Sequence, residues 1–413
     1  MTGPLSPRGI YSYYHMFRSL YQRKSMWFNH RIRQQCAMAL PDDGLVSAVH
    51  LDADKAIYGA YSWNAPFKTK IAIHERDPQT GELRRKCDFN PRMIVSSLCV
   101  DDDRMFVGAG FLIPESRGHI RLYNISQWRS SRSNLREPVA TLTGHRNGVR
   151  ALSFCSSGVN QGLLASCSED ATVRLWDLRD GSNSSNGGSR ALYTFEPSSA
   201  SSMGQIVAMS VEWDQNLIVA GSWSKSITCF DLRVRCPIAH VHQAHDRAIL
   251  SVATSPLGRI LSSSDDGTLR EFDLRYCKSC PTEQSPAVAV VRIADYFPTS
   301  KIIKAIHLDT EKLITCHLAP PCSVVIWDSL TLEPRRIIPN SPVKSFSPIE
   351  PSALPSSGDS DLGSPMSMAK SCTPGDDAFI VGYQNRSLST KLSSSSISVY
   401  TRGIPLPFTS VDR

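Results

Sequence analysis

The feature that most constrains this chain is a repeat in its central part. Residues 142–179, LTGHRNGVRALSFCSSGVNQGLLASCSEDATVRLWDLR, contain a Gly-His pair, an alternating apolar strand, a strand rich in small residues, an acidic turn and a strand that ends in Trp-Asp. The same register returns in residues 243–275, QAHDRAILSVATSPLGRILSSSDDGTLREFDLR. A repeated unit of this size buries its apolar faces by stacking on its neighbours. The sequence therefore predicts an array of small sheets.

These motifs resemble those of the WD-repeat β-propeller family, in which each blade has about 40 to 45 residues and four strands. Shorter copies occupy residues 217–233 and 312–329, and degenerate copies occupy 44–76, 93–124 and 376–402. The predicted fold class is all-β, a seven-bladed WD-repeat β-propeller with a short N-terminal helical segment. Six or eight blades are the alternatives.

The resemblance implies a structural role for two sets of four residues. In the family, a His before the first strand, a Ser on the second, an acidic turn residue and a Trp on the third form one hydrogen-bonded chain. The residues that match these positions are His145, Ser166, Asp170 and Trp176, and then His245, Ser262, Asp266 and Phe272. Because the His and Asp recur together in both repeats, we interpret them as architecture rather than as a catalytic pair.

Two segments lie outside the blades. We expect residues 1–33 to form a basic aromatic segment and residues 34–408 the propeller. Either residues 34–40 or residues 404–408 supply the strand that closes the ring, and we favour the former because two prolines in the latter remove backbone donors. A Ser/Pro-rich insert at about 340–375 is predicted to be disordered, because it cannot bury enough apolar surface. It contains Ser-Pro pairs that are candidates for phosphorylation, but a tolerated surface insertion is the favoured interpretation. The serines are Ser341, Ser347 and Ser364.

The N-terminal segment has apolar residues at helical spacing from Ile10 to Ile32, and residues 1–41 carry a charge of +6 with no acid. Residues 17–34, FRSLYQRKSMWFNHRIRQ, loosely resemble the linker that follows the F-box in F-box/WD-repeat proteins. Only a few residues precede them, so the F-box itself is not in this sequence. Phe17, Tyr21 and Trp27 are candidate protein-binding residues, and the alternative is a helix packed on its own propeller.

Further protein-binding candidates come from the loops. Arg146, Asn147 and Arg247 follow the two His positions and are expected on the face where partners dock. Three blades end in aromatic-Asp-Leu-Arg, which resembles the Trp-Asp-x-Arg motif of receptors that dock on the damage-binding adaptor of cullin-4 ligases. The arginines of this motif are Arg179, Arg233 and Arg275. Each of them could instead pair with a neighbouring acid.

Composition excludes several classes of protein. The sequence has 45 basic and 38 acidic residues, and the excess is concentrated at the N-terminus, so a nucleic-acid partner is not expected. No apolar run approaches the ~20 residues of a membrane span. Cys277 and Cys280 lack the second pair that a zinc site needs, and no catalytic or nucleotide-binding motif is present. We expect no metal, no cofactor and no enzymatic activity, and a location in the cytoplasm or nucleus.

The predicted function is that of a non-catalytic protein-binding scaffold. The resemblances favour the substrate-recognition subunit of a cullin-type ubiquitin ligase of the F-box/WD type, whose partners are a ligase adaptor, a cullin and a substrate. Alternatives are a receptor for the cullin-4 damage-binding adaptor and a propeller scaffold in RNA processing, traffic or chromatin.

Overall fold

The computed structural model describes residues 32–39, 44–51, 54–62, 69–76, 83–110, 118–125, 137–179, 191–196, 204–255, 258–274, 288–292, 295, 302–308, 312–317, 322–339, 364–370, 378–386 and 393–402. The elements that it contains are 28 β-strands, arranged in antiparallel four-stranded sheets. In all but one of these sheets the strands follow one another in the chain. Such local pairing suits alternating segments joined by short turns.

Three blades form the first half. Blade 1 consists of β2 (Gly44–Leu51), β3 (Lys55–Ser62), β4 (Thr69–Arg76) and β5 (Leu83–Phe89). Blade 2 consists of β6 (Val95–Asp101), β7 (Arg104–Ala109), β8 (Ile120–Asn124) and β9 (Ala140–Leu142). Blade 3 consists of β10 (Val149–Phe154), β11 (Leu163–Ser168), β12 (Val173–Asp177) and β13 (Tyr193–Phe195).

Three more blades follow. Blade 4 consists of β14 (Ile206–Glu212), β15 (Leu217–Ser222), β16 (Ile227–Asp231) and β17 (Cys236–Val241). Blade 5 consists of β18 (Ile249–Thr254), β19 (Arg259–Ser264), β20 (Thr268–Asp273) and β21 (Ala289–Arg292). Blade 6 consists of β22 (Ile303–Leu308), β23 (Lys312–His317), β24 (Cys322–Asp328) and β25 (Pro334–Pro339).

The two ends of the chain meet in one further sheet, described here by its backbone and called the terminal sheet. It consists of β1 (Ile32–Ala39), β26 (Ser364–Lys370), β27 (Ala378–Arg386) and β28 (Ser393–Arg402), in the order β1-β28-β27-β26. The predicted closing strand is confirmed, because β1 pairs with β28 from Ile32 opposite Arg402 to Ala39 opposite Ser396. This pairing covers an edge that would otherwise be open.

The predicted fold class needs correction. The propeller has six blades rather than seven. The terminal sheet lies beside them and is defined here only by the backbone pairing of its strands. The prediction of an N-terminal helix is also wrong at the residue where it overlaps the described structure. Ile32, the last residue of the predicted helical pattern, begins strand β1, and no helix is among the elements of the described residues. Pairing with β28 supplies backbone hydrogen bonds that outweigh a weak helical periodicity.

The Ser/Pro-rich insert also contains an element. Ser364–Lys370 forms β26, which pairs with β27 from Ser364 opposite Gln384 to Lys370 opposite Phe379. These seven residues pair with β27 through their backbone, and the disorder of the insert stays a prediction. The remainder of the insert, residues 340–363 and 371–375, lies outside the described residues.

Most of the described core lies between neighbouring blades, and one cluster lies within blade 1. One buried cluster joins blade 2 to blade 3 and includes Phe106, Leu164 and Trp176, and another joins blade 4 to blade 5 and includes Val219 and Phe272. Each blade therefore buries its apolar faces against its neighbours, as the repeat predicts.

The inner strand of each blade carries a β-bulge close to its start. Register shifts fall between Val149 and Ala151 in β10 and between Ile303 and Ala305 in β22, and the other inner strands have the same irregularity. A bulge redirects the side chain of the extra residue. The bulged residues lie at the end of the inner strands where the inter-blade loops enter.

Candidate protein-binding face and its hydrogen-bonded supports

One face of the propeller is formed by the inter-blade loops at 143–148 and 242–248 and by the turns at 169–172, 223–226 and 265–267. We call it the loop face. It contains the two sets of four residues that the sequence predicts to act together, so its construction decides what it can bind.

The first set forms a continuous hydrogen-bonded chain in blade 3. The Trp176 indole Nε1–H donates to Ser166 Oγ at 2.9 Å, Ser166 Oγ lies 2.8 Å from His145 Nε2, and His145 Nδ1 lies 3.0 Å from Asp170 Oδ2. An indole can only donate. Ser166 therefore accepts from Trp176 and donates its own proton to Nε2, which leaves the imidazole proton on Nδ1, where it is donated to Asp170.

The surroundings favour this protonation state. Burial lowers the pKa of His145 from its ordinary value, so the imidazole is neutral at physiological pH. Burial alone would raise the pKa of Asp170, but the hydrogen bonds from His145, Thr172 and the Arg146 backbone outweigh it and hold the pKa well below its usual range. A neutral His bonded to a fixed carboxylate closes a loop against a turn. Its hydrogen-bonding capacity is used within the protein.

The same aspartate anchors the backbone of the inter-blade loop. The Arg146 N–H donates to Asp170 Oδ2 at 2.8 Å. Gly144, one residue before His145, has φ +154°, and a Cβ there would lie 2.5 Å from the Arg174 Nη1 atom. The backbone angle favours glycine at this position, and a larger residue would also have to displace the end of the Arg174 side chain.

The second set forms a shorter chain in blade 5. His245 Nε2 lies 2.7 Å from Ser262 Oγ and His245 Nδ1 lies 3.0 Å from Asp266 Oδ2, while the Asp246 N–H donates to the same carboxylate oxygen at 3.0 Å. Phe272 occupies the position of Trp176 but has no N–H to donate. The chain therefore begins at the serine.

Blade 6 contains a third chain that the sequence pattern did not reveal. The Trp327 indole Nε1–H donates to Thr315 Oγ1 at 2.7 Å, and Thr315 Oγ1 lies 2.8 Å from His317 Nε2. Here the histidine comes from strand β23 itself rather than from an inter-blade loop. The sequence does contain a signal for this chain. Thr315 stands two residues before a histidine, and the next strand ends in Trp-Asp.

The three candidate protein-binding residues of the inter-blade loops differ in the exposure and the bonding of their side chains. Arg146 is exposed, and the Arg247 side chain is 68% exposed with a single ion pair, to Asp265 at 3.4 Å. Asn147 is half-buried, and its carbonyl accepts a hydrogen bond from Ser168 Oγ. The two arginines are therefore available to a partner, whereas Asn147 mainly holds its own loop.

The arginines of the aromatic-Asp-Leu-Arg motif are held by their own aspartates. Arg179 pairs with Asp177, and Arg233 Nη2 lies 2.7 Å from Asp231 Oδ2. The alternative interpretation of these arginines, pairing with a neighbouring acid, describes the geometry of both. Arg275 lies outside the described residues.

Other sequence candidates cannot be placed in this geometry. Phe17, Tyr21, Trp27, Ser341 and Ser347 lie outside the described residues, and Ser364 is the first residue of β26. Their proposed roles stay predictions.

A residue that the sequence interpretation passed over stands out on the loop face. Trp223 is 56% exposed in the turn between β15 and β16, and its backbone N–H donates to the Gln205 carbonyl at 2.9 Å. It directly follows β15, as Glu169 directly follows β11. An exposed tryptophan on an ordered turn is a typical anchor in protein interfaces. Its position could have been found by aligning LIVAGSWSKS with LLASCSEDAT.

The described residues show neither a metal site nor a membrane-spanning helix. They contain no group of three or more His, Cys, Asp and Glu side chains arranged to hold a metal ion. Within the same part of the chain, no helix has the length and apolar character needed to cross a membrane.

Comparison with known proteins agrees with this geometry. Residues 136–177 and 237–273, which include both loop-derived chains, match the WD40 family described as "WD domain, G-beta repeat". The crystal structure of the WD40 β-propeller domain of Doa1 superposes with a TM-score of 0.60 and 16% sequence identity, covering 90% of this chain and 97% of that one. The chain thus contains two repeats that match the WD40 family, and its fold is similar to that of a WD40 β-propeller.

Curated relatives share parts of the chain. The "Target of rapamycin complex subunit wat1" of Schizosaccharomyces pombe is 35% identical over 21% of this chain and 23% of its own length. The "Ribosome biogenesis protein YTM1" of Debaryomyces hansenii is 33% identical over 27% of this chain and 22% of its own. The "Guanine nucleotide-binding protein subunit beta" of Zea mays is 28% identical over 37% and 38%. The chain thus spans well under half of each relative, and it shares with them a WD-repeat propeller of the protein-binding scaffold type.

Proposed function

We propose that this protein is a non-catalytic platform that binds other proteins through its loop face. The observation that carries the proposal is the contrast between the two kinds of polar group on that face. His145, Ser166 and Asp170 are buried and hydrogen-bonded to one another, whereas Arg146 and Arg247 project from the loops that this network holds. Supported loops with exposed arginines and a tryptophan are suited to binding, because little conformational entropy is lost when a partner docks.

The same contrast argues against the tempting catalytic use of the His-Asp pairs. A general base needs a free lone pair within reach of a substrate proton. The Nε2 lone pair of His145 accepts from Ser166, which is itself fully buried behind Trp176. We therefore assign no enzymatic activity to this site.

Within the scaffold class, we propose substrate recognition in a cullin-type ubiquitin ligase of the F-box/WD type. The support is the resemblance of residues 17–34 to the linker after an F-box. The pairing of Arg179 and Arg233 with their aspartates lowers our preference for the cullin-4 adaptor route, because those guanidinium groups already have partners. A scaffold in another complex is the competing function.

Affinity purification from the source cells tests both levels of the proposal. The protein is tagged at its C-terminus at the genomic locus, so that any sequence encoded upstream is retained, and the wild type and the Arg146→Glu, Arg247→Glu double variant are captured in parallel. Arg235→Glu is the control, since Arg235 is exposed in the turn between β16 and β17 at the opposite end of those strands. Quantitative mass spectrometry should find a cullin and a Skp-type adaptor with the wild type, and less of the substrate with the double variant only.

The outcomes separate the hypotheses. A cullin-4 adaptor in place of the Skp-type adaptor would support the second ligase route, and a stable complex without any cullin would refute the ligase assignment while leaving the platform. Equal capture by the wild type and the double variant would refute binding through the loop face.

A further inference from the structure

The loop face opens onto a cavity of about 170 Å³ at the mouth of the central channel. Its lining comes from blades 1, 2, 3 and 6, and includes Ser47, Tyr61, Ser96, Arg150, Glu169 and Lys304. Pockets for drug-sized ligands run from roughly 300 to 1,000 Å³. This cavity is smaller and suits one inserted side chain.

Four of these residues reach the cavity because of the repeated β-bulge. Ser47, Ser96, Arg150 and Lys304 are each the residue skipped by the register shift of their inner strand. A bulge at equivalent points of separate blades brings their side chains to one ring although they are far apart in sequence.

The charges in this ring are not balanced. Arg150 pairs with Glu169, whose side chain is 6% exposed. Lys304, a second cation, makes no hydrogen bond or ion pair within the described part of the chain. Among the described residues that line the cavity, two cations and one anion leave one excess positive charge. Asp265 also acts on Lys304 from outside the lining, but it is paired with Arg247.

Hydrogen-bond donors are also in excess. Arg150 Nε is buried without a partner among the described residues. The two serine hydroxyls donate to backbone carbonyls, Ser96 Oγ to Gly108 at 3.0 Å and Ser47 Oγ to Gly59 at 3.3 Å, and neither oxygen accepts from Arg150 Nε. Unpaired donors in a small cavity are costly unless an acceptor binds there.

We propose that the channel mouth binds the carboxylate of an Asp or Glu side chain from a partner protein, with Lys304 and Arg150 as the binding residues. One carboxylate matches the single excess charge and supplies acceptors for both cations. Burial and the neighbouring Arg150 lower the pKa of Lys304, and the charge of Asp265 offsets them only in part, so an added carboxylate would stabilise the charged form. The inference rests on the proposed platform function, for which it specifies the chemistry of the partner.

Fluorescence anisotropy tests the site directly. The probe is a fluorescein-labelled tetraglutamate peptide with blocked ends, and the control peptide is tetraglutamine. The variant is Lys304→Met, and its matched control is Lys225→Met, which removes an equal charge from an exposed turn of the same face. We expect saturable binding of tetraglutamate by the wild type and by Lys225→Met, at least tenfold weaker binding by Lys304→Met, and none of tetraglutamine.

Thermal unfolding provides the folding control. Because Lys304 is a half-buried cation without a partner, Lys304→Met should unfold at the wild-type temperature or above it. A loss of binding without a loss of stability is the signature of a binding residue.

Three results would overturn the proposal. They are the absence of saturable tetraglutamate binding by the wild type, equal binding by Lys304→Met, and tenfold tighter binding of a phosphoserine peptide of the same length, which would assign the site to phosphate. None of them would refute the platform, which the affinity purification tests independently. Capture of no protein by the wild type in that experiment would refute the platform instead.

Discussion

Blades 3 and 5 are built on the same plan and differ in the residue at which their hydrogen-bonded chains begin. In blade 3 the Trp176 indole donates to Ser166, so three successive hydrogen bonds lead from Trp176 to the final acceptor, Asp170. In blade 5 Phe272 fills the equivalent buried position, and the chain of His245 and Asp266 begins at Ser262. The essential part of the motif is therefore the link from serine through histidine to aspartate, which holds loop to turn, and the indole N–H is an addition.

The two blades also differ before the histidine. Gly144 of blade 3 leaves room for the Arg174 guanidinium, whereas Ala244 of blade 5 accepts a hydrogen bond from Arg270 Nη1 at 3.0 Å through its carbonyl. The same arginine position thus supports the loop by packing in one case and by hydrogen bonding in the other. Several local solutions can hold one geometry.

The largest effect is expected from removing the aromatic residue of either blade. Trp176 and Phe272 are both 1% exposed and both fill clusters between blades. Trp176→Ala and Phe272→Ala should each lower the free energy of unfolding by about 3–5 kcal/mol through the cavity that they leave. Urea denaturation measures both, with Val159→Ala as an exposed control. A loss below about 1 kcal/mol would contradict the packing described here.

Removing the carboxylates tests what the blades share. Asp170→Ala and Asp266→Ala each leave a buried imidazole N–H and a backbone N–H without their acceptor. We expect a similar loss of about 1–3 kcal/mol in each, since the two chains are equivalent at this end. The same denaturation experiment decides the point. Unchanged stability in both variants would refute the supporting role of these chains.

Blade 6 extends the comparison to pH. Burial lowers the pKa of His317 to about 4, so the folded protein holds this imidazole neutral while the unfolded chain takes up a proton below pH ~6.5. The stabilisation is complete above the unfolded pKa and is lost as the pH falls toward the folded pKa. Between pH 6.5 and 5 the loss of this stabilisation should lower the free energy of unfolding by about 2 kcal/mol.

The control for this prediction is His317→Gln, which keeps an acceptor for Thr315 but does not titrate. Its stability should depend less steeply on pH than that of the wild type over the same interval. Parallel pH profiles of the two proteins would show that His317 is not held neutral.

The smallest stability effect sharpens the difference between the blades. Trp176→Phe converts the blade 3 chain into the blade 5 form, and the loss of one hydrogen bond should cost about 1 kcal/mol. Calorimetric melting of this variant, compared with Trp176→Ala, separates the indole N–H from the volume of the ring. A loss as large as that of Trp176→Ala would show that the indole hydrogen bond, and not packing, dominates.

The sequence predicted what is encoded by spacing. His145, Ser166, Asp170 and Trp176 fall at intervals that a repeated sheet brings together, and the alternating segment before the first blade supplied the closing strand. The helical interpretation of residues up to Ile32 was wrong, because a strand edge at β28 offers backbone partners that periodicity cannot register.

What the sequence did not predict depends on contacts between distant blades. Arg150 and Lys304 lie on separate inner strands, and ring closure together with the bulges brings them to one cavity. His317 was missed for a different reason. It supports its chain from within strand β23, so no Gly-His pair marks it.

The central claim is that supporting and binding residues on the loop face are separate. It is tested most directly by measuring, for the Arg146→Glu, Arg247→Glu variant, both the free energy of unfolding and the amount of co-purified protein. The account predicts a free energy of unfolding within about 0.5 kcal/mol of the wild type, together with a loss of most of the captured partner. Full retention of the partner, or a loss of stability comparable to that of Asp170→Ala, would contradict it.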